Sequence, residues 1–172
     1  PTLNLASFVN TELDDIPHRL ISENLVKNLA DNDEYPSLIA YQQRCISMIS
    51  HLWNAPTKFD DDGNEYVNTL GTATTGSSEA VMLAGLAMKK SWQLRRKAEG
   101  KSTENPNILM ASCAQVALEK FAVYFDVENR LIPITESSGH LIDISKIKEN
   151  IDENTIGIFV IMGSTFTGAF EP

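Results

Sequence analysis

The sequence predicts an α/β fold built on a mostly parallel sheet covered by helices, and three observations lead there. Strand-like and helix-like segments alternate from residue 108 to residue 162, the pattern of crossover units in a parallel sheet. With 172 residues, 42% of them hydrophobic and 22% charged, the chain has the composition of one globular domain with a sizeable core. Finally, the run Gly71-Thr72-Ala73-Thr74-Thr75-Gly76-Ser77-Ser78-Glu79-Ala80 joins a loop of small residues directly to a long helical pattern, and ligands of such sheets bind at loops of this kind.

The elements follow in order. After the extended start Leu3-Asn4-Leu5-Ala6-Ser7-Phe8, the spacing of Ile16, Leu20, Ile21, Leu25 and Leu29 predicts a helix over 16–30. Pro36 and Ser37 open a second helix with the stripe Leu38, Tyr41, Cys45, Ile46, Ile49, Leu52 and Trp53, ended by Asn54-Ala55-Pro56. The acidic segment 58–65 reads as a turn. It is not an EF-hand, because Gly63 comes too early and no Glu closes the twelve-residue pattern. A third helix runs over 78–98, its many small apolar residues suited to close packing on a sheet, and Glu99-Gly100-Lys101-Ser102 stops it. Then come a strand at 108–111, a helix at 115–125, a strand at 130–134, a helix at 144–151 and a strand at 155–162. The loops after Ala111 and Met162 open on the carboxyl edge of the sheet together with Ser77 and Ser78, as expected for a ligand site.

Two readings fit the start of the third helix. The first turn of a helix leaves N–H donors unpaired and carries partial positive charge, so a phosphate is well placed there, with Ser77 and Ser78 as added donors. Equally, one of the two serines caps the helix. A Walker A loop is disfavoured, since Ser77 stands where that motif needs lysine.

Composition excludes several function classes. A net charge of −9 speaks against nucleic acid or an anionic membrane as partner. The basic cluster Lys89, Lys90, Arg95, Arg96 and Lys97 reads as a solvated helix face complementing the dipole. Two cysteines, Cys45 and Cys113, make no disulfide framework, which fits a reducing, cytoplasmic location. No apolar run approaches the roughly 20 residues of a membrane span. The three histidines, His18, His51 and His140, have no ligand spacing, and no metal site is assigned. The start at Pro1 and the stop directly after a strand-like segment predict a piece of a longer chain.

Five blocks carry a resemblance: Asn4-Leu5-Ala6-Ser7-Phe8-Val9-Asn10-Thr11, Lys27-Asn28 with Asp33-Glu34-Tyr35-Pro36, Thr75-Gly76-Ser77-Ser78-Glu79-Ala80, residues 116–121, and Asp152-Glu153-Asn154-Thr155-Ile156-Gly157. In order and nearly end to end, they resemble glutamate decarboxylase of the plant, fungal and bacterial type, a group II pyridoxal-phosphate-dependent decarboxylase. Ala117-Leu118-Glu119-Lys120-Phe121 is most similar to fungal members, as is the 71–75 loop apart from Thr72. The resemblance implies a fold-type-I large domain, incomplete at its C-terminus. Residues 1–56 would form an extended start and two helices at the dimer and substrate side, and 69–172 the first part of the sheet.

It also implies site roles. Ser77 and Ser78 match the residues holding the phosphate of pyridoxal 5'-phosphate, Gln115 the residue stacked on its ring, and Thr165 a cofactor contact in the third loop. Ser7 and Phe8 match positions that bind the distal carboxylate of L-glutamate, and Asn28 and Asp31 match substrate-side positions supplied across a homodimer. Taken without the resemblance, Ser7, Asn28 and Asp31 read as ordinary turn and helix-end residues, and Gln115 and Thr165 as element-end polar groups. By the same pattern the Schiff-base lysine and the Asp facing the ring nitrogen follow residue 172. None of Lys89, Lys90, Lys101, Lys120, Lys146 or Lys148 sits in a matching motif, so no catalytic residue is assigned and this chain alone is expected to be inactive. The implied activity of the full-length protein is decarboxylation to 4-aminobutyrate. The alternatives are another pyridoxal-phosphate decarboxylase or lyase, and a non-catalytic remnant binding a partner.

Overall fold

The computed structural model describes residues 12–172, apart from 29, 32, 60, 63, 64 and 68–70. The chain divides into two compact units, Pro1–Ala73 and Thr74–Pro172. The first unit holds α1 (Asp15–Asn24), α2 (Pro36–Leu52) and an antiparallel pair, β1 (Thr57–Phe59) and β2 (Glu65–Val67). The second holds α3 (Ser77–Ala98), β3 (Asn107–Ala111), α4 (Val116–Tyr124), β4 (Glu128–Ile132), α5 (Ile144–Asn150) and β5 (Thr155–Ile158).

In the second unit the strands form a parallel sheet in the order β4-β3-β5. β3 is central and buried at all five positions, as an apolar run covered on both faces must be. Its alternation divides the core. Ile108 and Met110 join Leu118, Phe121 and Ala122 of α4 with Val127, whereas Leu109 and Ala111 meet Ile132 and Ile142 on the other face, with Ile147 of α5 packed against them. Two parallel crossovers, each closed by one helix, therefore bury the same strand from opposite sides.

Four expectations are corrected, each for an identifiable reason. β5 ends at Ile158 rather than at residue 162, because the chain beyond it pairs with its own next segment: Ile161 N–H donates to Glu171 Oε2 and Met162 bridges Phe170. α1 stops at Asn24 rather than at residue 30, where the Asn24 amide donates to the Leu20 carbonyl and Lys27 N–H closes a turn on Asn24. No residue of α1 is buried, so its apolar stripe gains too little to extend a short helix. β4 runs two residues earlier than the 130–134 expected, because Val127 N–H bonds Ala122 O directly after α4 and Pro133, which has no N–H, ends the ladder. The acidic 58–65 turn proves to be the connection of the β1–β2 hairpin. The extended start expected at residues 3–8 lies outside the described residues.

Arg96 overturns the solvated-face reading of the basic cluster at that position. It is 7% exposed. Its Nε donates to Ser102 O at 2.8 Å, its Nη1 to Glu153 Oε2 at 2.8 Å, and its guanidinium lies 5.8 Å from the Trp92 ring centroid. Lys89 is likewise engaged, donating to the Phe125 carbonyl.

The amino edge of the sheet is closed by a polar clasp. Asn107, fully buried, donates to Asp152 Oδ1 at 2.8 Å and accepts from Thr155 Oγ1 at 2.8 Å. Arg130 reaches Asp152 Oδ2 at 2.7 Å and Glu128 at 3.0 Å. Burial pushes the Asp152 carboxyl upward, but the Asn107 amide, the Arg130 guanidinium and the Asn154 N–H outweigh it and hold it below its usual 3.8. A group depressed in the folded state stabilises above its ordinary value and loses that contribution as pH falls through the folded one. Asn107→Ala, which leaves buried partners unpaired, is expected to cost about 2 kcal/mol in urea unfolding at neutral pH. The difference from wild type should shrink on acidification below about pH 4, as Asp152 protonates. An equal loss at every pH would remove Asp152 from the account.

Candidate functional site

The direction of α3 sets the site. Near its C-terminus, Trp92 Nε1 donates to Glu153 O at 3.0 Å and Arg96 bonds the Glu153 carboxylate, just before β5 begins. Further up, Met88 lies against Gly157 of β5. The helix thus runs antiparallel to the strand. Ser77 precedes Met88 by eleven positions, about 16 Å at 1.5 Å per residue. That carries the α3 N-terminus toward the carboxyl end of β5, the end from which the loop bearing Thr165 departs. The loop 112–115 after β3 opens on the same carboxyl edge. Ser77, Ser78, Gln115 and Thr165 thus all lie toward the carboxyl end of the strands.

At the α3 start, Gly76 occupies the cap position and no side chain caps the helix. Ser77 and Ser78 are the first two helical residues, both exposed, so neither is the cap that the simpler reading requires. Among the described residues neither hydroxyl makes a hydrogen bond. Gly76 is extended, and a Cβ added to it would meet nothing within 4 Å; its small size leaves open space above the first turn. The N–H groups of that turn have no intrahelical acceptor. Open space, unpaired N–H donors, two free hydroxyls and a helix dipole fit a phosphate group.

Glu79, to which the loop motif alone assigns no role, shapes the approach. Its Oε2 accepts from Thr75 N at 2.6 Å and from Thr75 Oγ1 at 2.8 Å. These bonds, the backbone one foremost, hold its carboxyl below the usual 4.5. The signal was an acidic residue three positions after the cap.

Gln115 caps α4, its Oε1 accepting from Ala117 N at 2.6 Å. One end of the amide is thus held. Thr165 lies in a tight loop where Gly168 N bonds Ser164 O at 2.7 Å and Ser164 N bonds Ala169 O at 2.9 Å. Gly163 and Gly168, at φ of +111° and +69°, make the reversal. Ser164 is buried beneath and Thr165 is exposed.

Asn28 and Asp31 belong to the first unit. Asn28 Oδ1 accepts from Ala30 N at 3.1 Å and Asp31 Oδ1 from Glu34 N at 3.2 Å, so both shape the turn between α1 and α2. A cleft of about 220 Å³ lies nearby, lined by Asn24, Lys27, Glu34, Tyr35 and Tyr41 among others, but not by Asn28 or Asp31. Ser7 and Phe8 lie outside the described residues.

The pyridoxal-dependent decarboxylase conserved domain matches residues 8–172. The chain belongs to that family. Over 171 residues, 99% of its length, it is 56% identical to glutamate decarboxylase of Saccharomyces cerevisiae, of which it spans 28%. Among solved structures it superposes on glutamate decarboxylase of Lactobacillus brevis with a TM-score of 0.84 and 39% identity, covering 98% of this chain and 37% of that one. The sphingosine-1-phosphate lyase of Burkholderia pseudomallei shares the fold, with a TM-score of 0.72 at 18% identity over 92% of this chain and 35% of that one. The chain therefore spans about a third of such proteins, and its α/β sheet is part of the large domain of pyridoxal-phosphate decarboxylases and lyases.

Proposed function

We propose that the full-length protein decarboxylates L-glutamate to 4-aminobutyrate and carbon dioxide with pyridoxal 5'-phosphate as cofactor. The observation that carries this reading is the helix start at Ser77 and Ser78, open at the carboxyl edge of a sheet whose chain is 56% identical to a glutamate decarboxylase. When bound, the cofactor supplies the electron sink that makes loss of carbon dioxide feasible.

The residues of this chain bind and orient. Ser77 and Ser78 hold the phosphate with the first-turn N–H groups. Gln115, held at its Oε1 by the capping bond, would lie against the ring, and Thr165 would contact the cofactor from the 163–168 loop. Ser7 and Phe8 receive the distal carboxylate of glutamate. Asn28 can donate its amide to that carboxylate, while an ionised Asp31 accepts only, so its part is to order the turn through Glu34 N–H.

In this proposal Asn28 and Asp31 act across a homodimer or larger homo-oligomer. The exposed apolar side chains of α1 and α2, such as Leu20, Ile49 and Leu52, suit cover by a second copy. A cytoplasmic location suits the free thiols of Cys45 and Cys113. No helix among the described residues is long and apolar enough to cross a membrane.

The test is a product assay of the full-length protein supplied with the cofactor. Release of carbon dioxide and 4-aminobutyrate from L-glutamate, with little from aspartate or aromatic amino acids, is the expected result. Preference for another amino acid would replace glutamate in this reading, and no turnover of any would end it.

A further inference from the structure

We propose that Glu79 is a positioning residue for the cofactor phosphate: its carboxylate locks the loop before α3 so that the donors of the first turn face an external anion. The inference rests on the reading of Ser77 and Ser78 as the phosphate seat. Its support is an asymmetry in the capping geometry. In a capping box the cap side chain accepts from the N–H three residues on, and the acidic residue there reaches back to the N–H of the cap itself. Here the cap is Gly76, which has no side chain to accept. The acidic half survives but is displaced by one residue. Glu79 takes the N–H and the hydroxyl of Thr75, outside the helix.

A device for helix stability alone would consume first-turn donors. This one consumes none of them. It pins the backbone immediately before Gly76 and leaves the N–H groups of residues 76–79 and the hydroxyls of Ser77 and Ser78 to a ligand. Thr74 adds to the same locking, its Oγ1 donating to Gly76 O at 3.0 Å. Anion affinity gains from this because the loop need not be ordered on binding. Thr75 also fixes the negative charge of Glu79 through two donors.

The experiment compares two probes on the full-length apoprotein, pyridoxal 5'-phosphate and pyridoxal, which share the ring and differ in the phosphate. Dissociation constants are read from the ring absorbance. Glu79→Ala is expected to weaken the phosphorylated probe about tenfold relative to pyridoxal. Glu79→Gln, which keeps an acceptor oxygen for Thr75, should stay within about threefold of wild type. A purely structural role would lower the melting temperature or weaken both probes alike, leaving their ratio unmoved.

Ser77→Ala with Ser78→Ala separates the two readings. If that pair lowers the ratio and Glu79→Ala does not, the positioning role falls and the seat stands; if the pair leaves the ratio unmoved, the seat falls. A loss in Glu79→Gln as deep as in Glu79→Ala also overturns positioning by hydrogen bond. Should Glu79→Ala fail to fold, Thr75→Val removes one of the two donors with little change of shape. It is expected to lower the ratio a few-fold, and an unmoved ratio counts against the role.

Discussion

Replacing Ser77 and Ser78 together by alanine in the full-length protein is expected to weaken retention of pyridoxal 5'-phosphate by about a hundredfold or more, with little change in the stability of the apoprotein. Hydrogen bonds to a charged group are each worth about 1.5–3 kcal/mol. Two of them lost come to at least about 3 kcal/mol, and each 1.4 kcal/mol is tenfold in affinity. The stability half of the expectation comes from the helix start itself. Neither hydroxyl caps α3, and alanine is the better helix former at both positions. Equilibrium dialysis of the cofactor and thermal melting of the apoprotein measure the two halves separately. Retention equal to wild type would refute the phosphate assignment. A large fall in melting temperature would mean that the serines serve the fold instead.

Much of this arrangement was legible because its signals are local. The apolar run at 108–111 declares a strand covered on both faces, and the small-residue loop running into Ser77 declares a helix start on the ligand-bearing edge. What stayed hidden depends on partners distant in sequence. Arg96 belongs to a basic run that reads as solvated, and only Glu153, fifty-seven residues away, together with Trp92 and Ser102 reveals why it is buried. Asn107 looks like a polar residue ahead of a strand, yet it is the strand's first member because Asp152 and Thr155 satisfy both ends of its amide. The β1–β2 hairpin has three residues per strand, too short for any periodicity to register. At the site, Ser77 and Ser78 were visible as a motif. The Glu79 bond to Thr75 was not, since a Glu in a first turn ordinarily serves the dipole or the cap.

Gly85→Val is expected to destabilise the full-length protein by about 3 kcal/mol, the upper range for overpacking a filled core. Gly85 lies where α3 meets α4, and even a single added Cβ would stand 2.6 Å from both Cδ2 and Cζ of Phe121. The ring cannot step aside. It is fully buried, tilted on Phe125 at 5.2 Å and edge-on to Phe159 at 5.6 Å, so any shift propagates into the core beneath β3. A valine recovers only a few tenths of a kcal/mol from the better helix propensity.

Gly157 supplies the control. A Cβ there meets the Met88 sulfur at 2.6 Å, an equally short approach, but to the end of a flexible thioether that has other rotamers open to it. Gly157→Ala should therefore cost under about 1 kcal/mol. Denaturant midpoints of the two variants decide the matter. The wide gap follows from which neighbour can yield, and comparable losses would show that the α3–α4 contact is no tighter than the α3–β5 contact. Pairing Gly85→Ala with Phe121→Leu should then cost less than the two single changes added together, because each relieves the crowding made by the other. Strict additivity would mean that Gly85 and Phe121 are not the pair setting how closely α3 approaches α4.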